Sequence, residues 1–344
     1  MRTATARTIP NWAWALSAVA VLITLTIGVS IGAVTIAPNV VWSEISNQLF
    51  GNSTLGTTSN TTIIWQLRLP RVLLAFVVGS MLASAGCAYQ GTFRNPLADP
   101  YLLGVSAGAG LGATIAIFYG TGTSKFLLPI AAFAGALGAV LLTYSLGRSA
   151  IAGRSSTALV LAGVAVASLL TAIQTLLQQQ NTDKIREIYA WVLGRLSTSG
   201  WQDLVVITPY VTVCILVLLR YRRVLDVFAV GDEEALTMGL PVGRARGAII
   251  VAASLGTAAA VSVTGLIGFV GIIVPHILRL IVGNSYRILL PLSIIYGGIF
   301  LVFADVLART ILAPQEISIG VVTALLGAPF FLFVLGSSKN GSVT

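Results

Sequence analysis

Charge is scarce in this chain: Asp, Glu, Lys and Arg make up only 9% of its 344 residues, against 56% hydrophobic ones. With a mean hydropathy of +0.93, water-soluble domains of this size are excluded. Cysteine is nearly absent as well. Cys87 and Cys214 both fall inside apolar runs, so neither a disulfide framework nor redox chemistry is expected, and both read as small core residues. The single histidine, His276, has no second histidine, cysteine or carboxylate at ligand spacing, whereas a metal site needs three or four donors. Hydrogen-bonded packing beside Pro275 is the expectation for it. A G-x-x-x-x-G-K-[ST] phosphate cradle is missing too, since Gly120 to Lys125 lacks the second glycine. Any nucleotide therefore belongs on another chain, and nucleic acid is not an expected partner.

Acidic groups within the apolar runs are rarer still. Of the eleven Asp and Glu residues, only Asp305 lies inside one; the others sit in connectors or at run ends. An ionisable group in lipid is costly and persists mainly for function, so an enzyme or ion-coupled carrier would be expected to hold several. Asp305 precedes Arg309 by four residues, one helical turn, and an ion pair between them is expected.

What the chain does have is repeated long apolar runs. A membrane helix needs roughly 20 such residues, and runs of that kind fall at about 13–37, 72–91, 101–120, 126–147, 157–179, 203–219, 247–264, 266–282, 288–310 and 319–336. They are unbroken rather than alternating, which excludes a barrel and makes the fold all-α: a polytopic membrane protein with about ten transmembrane helices. The first run, from Trp12, has no small-residue cleavage site and reads as a retained span. Membrane lipid is thus its surroundings. Residues 1–344 form one transmembrane domain, with polar connectors at about 38–66, 180–202 and 220–246. Gly104, Gly108 and Gly112 recur every four residues and suit close helix packing; Pro275 and Pro329 interrupt runs and are expected to kink them.

Arg2 and Arg7 precede the first span, so the N-terminus is expected in the cytoplasm, and ten spans return the C-terminus, with Lys339, to the same side. This orientation places thirteen of the twenty basic residues inside, as the positive-inside rule asks. The seven outside are Arg68, Arg71, Lys125, Lys184, Arg186, Arg195 and Arg309. Three of these arginines abut span ends, where the rule disfavours them.

The inner connector carries a local motif. From Gly231 to Pro241 the spacing predicts one short helix: Asp232 as cap, Glu233 and Glu234 at the positive end of the dipole, and Gly239 with Pro241 as the stop. Leu236 and Met238 are left on its surface, which implies a docked partner protein.

Arg68–Leu69–Pro70–Arg71, then Gln90–Gly91 and Phe93–Arg94–Asn95–Pro96–Leu97–Ala98–Asp99–Pro100, closely resemble the signature of FecCD-type permeases. The resemblance continues through Leu161–Ala162–Gly163–Val164, Gly239–Leu240–Pro241, Gly268–Phe269–Val270–Gly271, Val274 to Leu280 and Gly320 to Pro329. It implies a type II ABC importer permease, moving a ferric siderophore, haem or cobalamin across the cytoplasmic membrane of a bacterium. It also implies a second permease subunit, identical or paralogous, and two ABC ATPase subunits that bind ATP and Mg, with no cofactor in this chain. The loop with Asp232, Glu233, Glu234, Leu236, Met238, Gly239 and Leu240 would dock the ATPase. Arg68, Arg71 and Arg309 match the arginines that bind acidic residues of an extracytoplasmic substrate-binding protein. Asn95 and Leu97, with Ser156 and Thr157, match the inner gate. Ile317–Ser318 departs from the Leu-Pro usual there. A ferric siderophore is the expected cargo; an ion-coupled carrier is the distant alternative.

Overall fold

The structure, a computed structural model, describes residues 10–32, 34–51, 59–120, 126–149, 156–180, 182–196 and 200–339. The order is α1 (Asn11–Ser30), α2 (Pro38–Phe50), α3 (Ser59–Thr62), a π-helical segment (Ile63–Arg68), α4 (Leu69–Phe93), α5 (Val105–Tyr119), α6 (Leu127–Ser149), α7 (Ser156–Gln180), a 3-10 turn (Thr182–Lys184), α8 (Ile185–Val192), α9 (Trp201–Phe228), α10 (Asp232–Thr237), α11 (Val242–Thr264), α12 (Val270–Val282), α13 (Tyr286–Thr310) and α14 (Ile319–Lys339). No strand occurs among the described residues. That is the solution lipid imposes on a chain whose amides must find partners within it.

Seven helical stretches are long and apolar enough to cross a membrane: α1, the run Ser59–Phe93 that ends in α4, α6, α7, α9, α11 and α13. Two shorter apolar helices, α5 and α12, and the apolar stretch Ile319–Phe333 of α14 fall at the other expected spans. The 13 residues of α12 cover about 20 Å at 1.5 Å per residue, short of a hydrocarbon core of about 30 Å. Residues 266–269, expected as helix, form its non-helical approach, with Phe269 in the left-handed region at φ 69°.

The bundle is built around α4, which is buried along most of its length and packs against α9, α11, α12 and α13. Small residues make this possible. A Cβ at Gly79 would lie 2.2 Å from Gly297 O, and one at Gly86 would lie 2.0 Å from Gly271 O, so α4 meets α13 and α12 backbone to backbone. The same holds between α5 and α6, where a Cβ at Gly108 would lie 2.2 Å from Gly135 O and one at Gly112 2.1 Å from Ala131 O. Gly104, expected in that packing stripe, instead takes φ 80° as the residue before α5. By contrast α1 and α7 keep most of their apolar surface exposed, as lipid or a second subunit requires.

Several boundaries differ from the sequence expectation. α1 ends at Ser30 rather than 37, and the 38–66 connector holds α2, α3 and the π-helical segment. α8 occupies the 180–202 connector, burying Ile188 and Trp191. α9 runs on to Phe228 through Arg220, Arg222 and Arg223, so the connector expected over 220–246 shrinks to 229–241.

Candidate functional site

Where α1 stops, its last carbonyls lack intrahelical partners and carry the negative end of the helix dipole. Two arginines from distant helices supply the donors. Arg68 Nη1 donates to Val29 O (2.9 Å) and Ser30 O (3.0 Å), and its Nη2 donates to Val34 O. Arg309 Nη1 donates to Ile31 O (2.9 Å), and Nη2 to Gly28 O (2.9 Å). Both residues are buried. Lys184 does the same for α5, its Nζ donating to Ile117 O at 2.7 Å. Arg68, Arg309 and Lys184 thus each serve the C-terminal carbonyls of a helix.

Arg71 faces the acids. Its Nε donates to Asp305 Oδ1 (2.9 Å), while Nη1 and Nη2 grip Glu316 Oε1 and Oε2 (2.9 and 3.0 Å). Asp305 is fully buried, and its Oδ2 lies 2.9 Å from Arg309 Nε. The ion pair expected from the four-residue spacing is present, and Arg71 and Glu316 extend it into a network that sequence spacing did not reveal. Arg68 and Arg309 therefore present no free guanidinium edge here, and the half-exposed Glu316 occupies the outward edge of Arg71.

At the other end, α10 is closed as expected. Leu240 N–H donates to Ala235 O (3.1 Å) and Gly239 N–H to Leu236 O (2.9 Å), with Gly239 at φ 75°: the paired bonds of a glycine-terminated helix. Glu233 and Glu234 lie in its first turn and are exposed, as are Leu236 and Met238. A groove of about 720 Å³ opens beside Leu236, between α10, the start of α11 and residues Tyr144 and Leu159 of α6 and α7. The expectation for Asp232 is corrected. The residue before the helix is Gly231, with no side-chain cap, and the Asp232 carboxylate turns away. Arg246 Nη2 donates to both its oxygens (2.8 and 2.9 Å), and Arg94 Nη2 lies 3.1 Å from Oδ1. Arg246 is itself fixed over the buried Phe228 ring, 5.4 Å from its centroid. In the sequence both arginines read as ordinary basic residues. Their signal, one carboxylate of α10 facing arginines from two other helices, exists only after folding.

Arg94 closes α4 in the left-handed region at φ 51°, and the chain then turns through the expected gate. Asn95 Oδ1 accepts from Leu97 N–H at 2.9 Å, a local turn that Asn favours. Asp99 Oδ1 accepts from Tyr101 N–H at 2.7 Å. Tyr101 OH donates to Ile267 O (2.9 Å) and accepts from Ile267 N–H (3.0 Å). Gln90 bridges to α12, its Nε2 donating to Gly271 O (3.1 Å) and its Oε1 accepting from Arg279 Nη2 (2.7 Å). This connector is anchored at its base and free at its tip, where Asn95 and Leu97 are exposed. Burial pushes the Asp99 carboxyl up to about 6, against the Tyr101 N–H that favours its ionised form. Thr157 is exposed at the start of α7, and the Ser156 side chain lies outside the described residues. His276 departs from expectation: its Nδ1 has no hydrogen-bond partner, and the ring packs edge-on to Phe330 at 5.9 Å. Among the described residues no cluster of three or more His, Cys, Asp or Glu is placed to hold a metal ion.

Seven helical stretches long and apolar enough to cross a membrane, with a short exposed helix at one end of the bundle, make this a multi-pass membrane architecture. Residues 20–337 match the FecCD transport family. The chain belongs to that family: it is the permease subunit of an ABC importer, whose ATPase is a separate chain. It is 45% identical over 274 residues to the cobalamin import system permease BtuC of Halobacterium salinarum, covering 79% of this chain and 73% of that one. It is 39% identical over 298 residues to the hemin transport system permease HmuU of Yersinia pestis, covering 82% and 86%. A solved structure of a metal-chelate type ABC transporter, in an inward-facing conformation, superposes with a TM-score of 0.83 at 28% identity, covering 95% of this chain and all of that one.

Proposed function

We propose that this permease moves an intact metal chelate, with a ferric siderophore as the cargo, across the cytoplasmic membrane of a bacterium, both termini lying in the cytoplasm. Membership of a family whose similar members are named for cobalamin and hemin carries the chelate class. In such a cargo the chelator already satisfies the metal, so a path without protein ligands suffices. A second reading, cobalamin, is favoured by the 45% identity to the Halobacterium permease.

In the proposed assembly two permease subunits, identical or paralogous, enclose the path, and two ATPases that bind ATP and Mg dock from the cytoplasm. The exposed Leu236 of α10, beside the groove, and Met238 just after the helix form the docking surface. Its neighbours Asp232, Glu233, Glu234, Gly239 and Leu240 shape and orient that helix. Asn95, Leu97, Ser156 and Thr157 form the inner gate, where small hydroxyl and apolar groups close without leaving a buried charge. A substrate-binding protein docks over the opposite end. There its acidic residues address Arg68, Arg71 and Arg309 only by exchanging with Glu316 or with the α1 carbonyls, so Arg71 is the first contact.

The test is reconstitution in liposomes with the ATPase and binding protein, offering ferric siderophore, haem and cyanocobalamin in parallel. ATP-dependent accumulation of the siderophore is expected. Accumulation of cobalamin alone would replace the first reading with the second, and uptake that persists without the ATPase would sink both.

A further inference from the structure

We infer that Asp232 is the joint through which movement of α10 reaches the gate connector, with Arg94 as its second half. The inference rests on the reading of α10 as the ATPase docking helix, and adds how a displacement there is passed on. α10 is six residues long, too short to hold its place by its own backbone bonds. Among the described residues, its side-chain hydrogen bonds and ion pairs to the neighbouring helix ends run through one carboxylate, beside the packing of the buried Ala235. Arg246, nearly buried and stacked over Phe228, anchors that carboxylate with two bonds from a single Nη2. This fixes Asp232 relative to α9 and α11.

Arg94 is different. Its side chain is 43% exposed, so its ion pair is screened by solvent and contributes little to stability. What the contact does is geometric. Arg94 ends α4 at φ 51°, a backbone conformation uncommon for a residue with a side chain. The next residue is Asn95, whose own side chain holds the turn into Leu97. A shift of α10 therefore pulls on the residue that sets where the gate turn begins, while the base of the connector stays pinned through Tyr101 to Ile267. A link that is weak in energy and short in reach suits a part that must break and re-form as the permease cycles.

The experiment uses the permease–ATPase complex in nanodiscs with a nitroxide at Leu97→Cys; the native Cys87 and Cys214 are buried, so the label is selective. ATP is expected to change the mobility of this label in the parent protein. Arg94→Gln is expected to abolish that change while the ATPase still co-purifies and hydrolyses ATP. Asp232→Glu is expected to retain it. Because Asp232→Asn also strips Arg246 of its partner and could fail to fold, Arg94→Gln decides. An ATP response that survives in Arg94→Gln, or that is absent from the parent protein, overturns the joint. Failure of the docking reading shows separately, as an ATPase that still co-purifies after Leu236→Asp.

Discussion

The Arg71 guanidinium and the Asp305 carboxylate meet 2.9 Å apart with the acid fully buried. Asp305 thus works as a structural anion between two arginines, Arg71 and Arg309, rather than as an ion-coupling site. Removing one member of a buried pair leaves its partner uncompensated, at a cost of roughly 3–5 kcal/mol. Asp305→Asn is therefore expected to lower the thermal unfolding midpoint in detergent strongly. Glu316→Gln, at a half-exposed acid, should cost no more than about 1 kcal/mol. Equal effects of the two substitutions would contradict this division of labour. A loss of gradient-dependent uptake in Asp305→Asn without loss of stability would return the ion-coupled alternative to consideration.

Arg68 and Arg309 together hold the C-terminal turn of α1. Arg68→Ala removes donors to Val29 and Ser30, and a hydrogen bond from a charged donor is worth roughly 1.5–3 kcal/mol. Hydrogen exchange at the amides of the last turn of α1 is expected to accelerate, while exchange at the centre of α4 stays unchanged. Arg68→Lys should restore little, because one ammonium cannot reproduce a guanidinium that reaches Val29, Ser30 and Val34 from two nitrogens. Unaltered exchange in Arg68→Ala would show that α1 stops for another reason.

The spans were legible because lipid writes its requirement into every stretch of about 20 residues, and α10 was legible because its acids, glycine and proline are local signals. What escaped the sequence depends on distant partners. Residues 31–37 are as apolar as the helix before them, so hydropathy runs past Ser30. Where the helix does stop, its freed carbonyls are met by Arg68 and Arg309, up to 281 positions away. Charges at Arg220, Arg222 and Arg223 ended the apolar pattern but not the helix, since α9 continues beyond it. Asp232 looked like a cap because Asp favours that place; its actual partners come from α11 and the end of α4.

The glycines of α4, α5 and α6 divide into those that touch backbone and those that do not. Gly86→Ala would set a methyl 2.0 Å from Gly271 O, and Gly108→Ala one 2.2 Å from Gly135 O, whereas nothing lies within 4 Å of a Cβ at Gly138. Backbone cannot swing aside as a side chain can, so the first two substitutions should each cost at least the 1–3 kcal/mol or so typical of overpacking. Gly138→Ala should leave the unfolding midpoint unchanged or slightly raised. Similar behaviour of Gly86→Ala and Gly138→Ala would mean that α4 and α12 do not approach as described.

Asp99 gives a dependence on pH whose sign follows from its environment. Burial lifts its folded-state pKa from 3.8 to about 6, so in the folded chain it holds a proton over a range where the unfolded chain has already released it. Below that range both states are protonated and Asp99 contributes no pH dependence. As pH rises towards 6 the unfolded state gains the freedom to ionise and the folded state loses stability relative to it. Asp99→Asn removes this titration yet keeps an amide oxygen that can accept from Tyr101 N–H. The unfolding midpoint of the parent protein minus that of Asp99→Asn should therefore fall between about pH 4 and pH 6 and level off above, other carboxylates cancelling in the difference. A difference that stays flat across that interval, measured in one detergent at constant ionic strength, would show that the connector leaves Asp99 with an ordinary carboxylate's solvation.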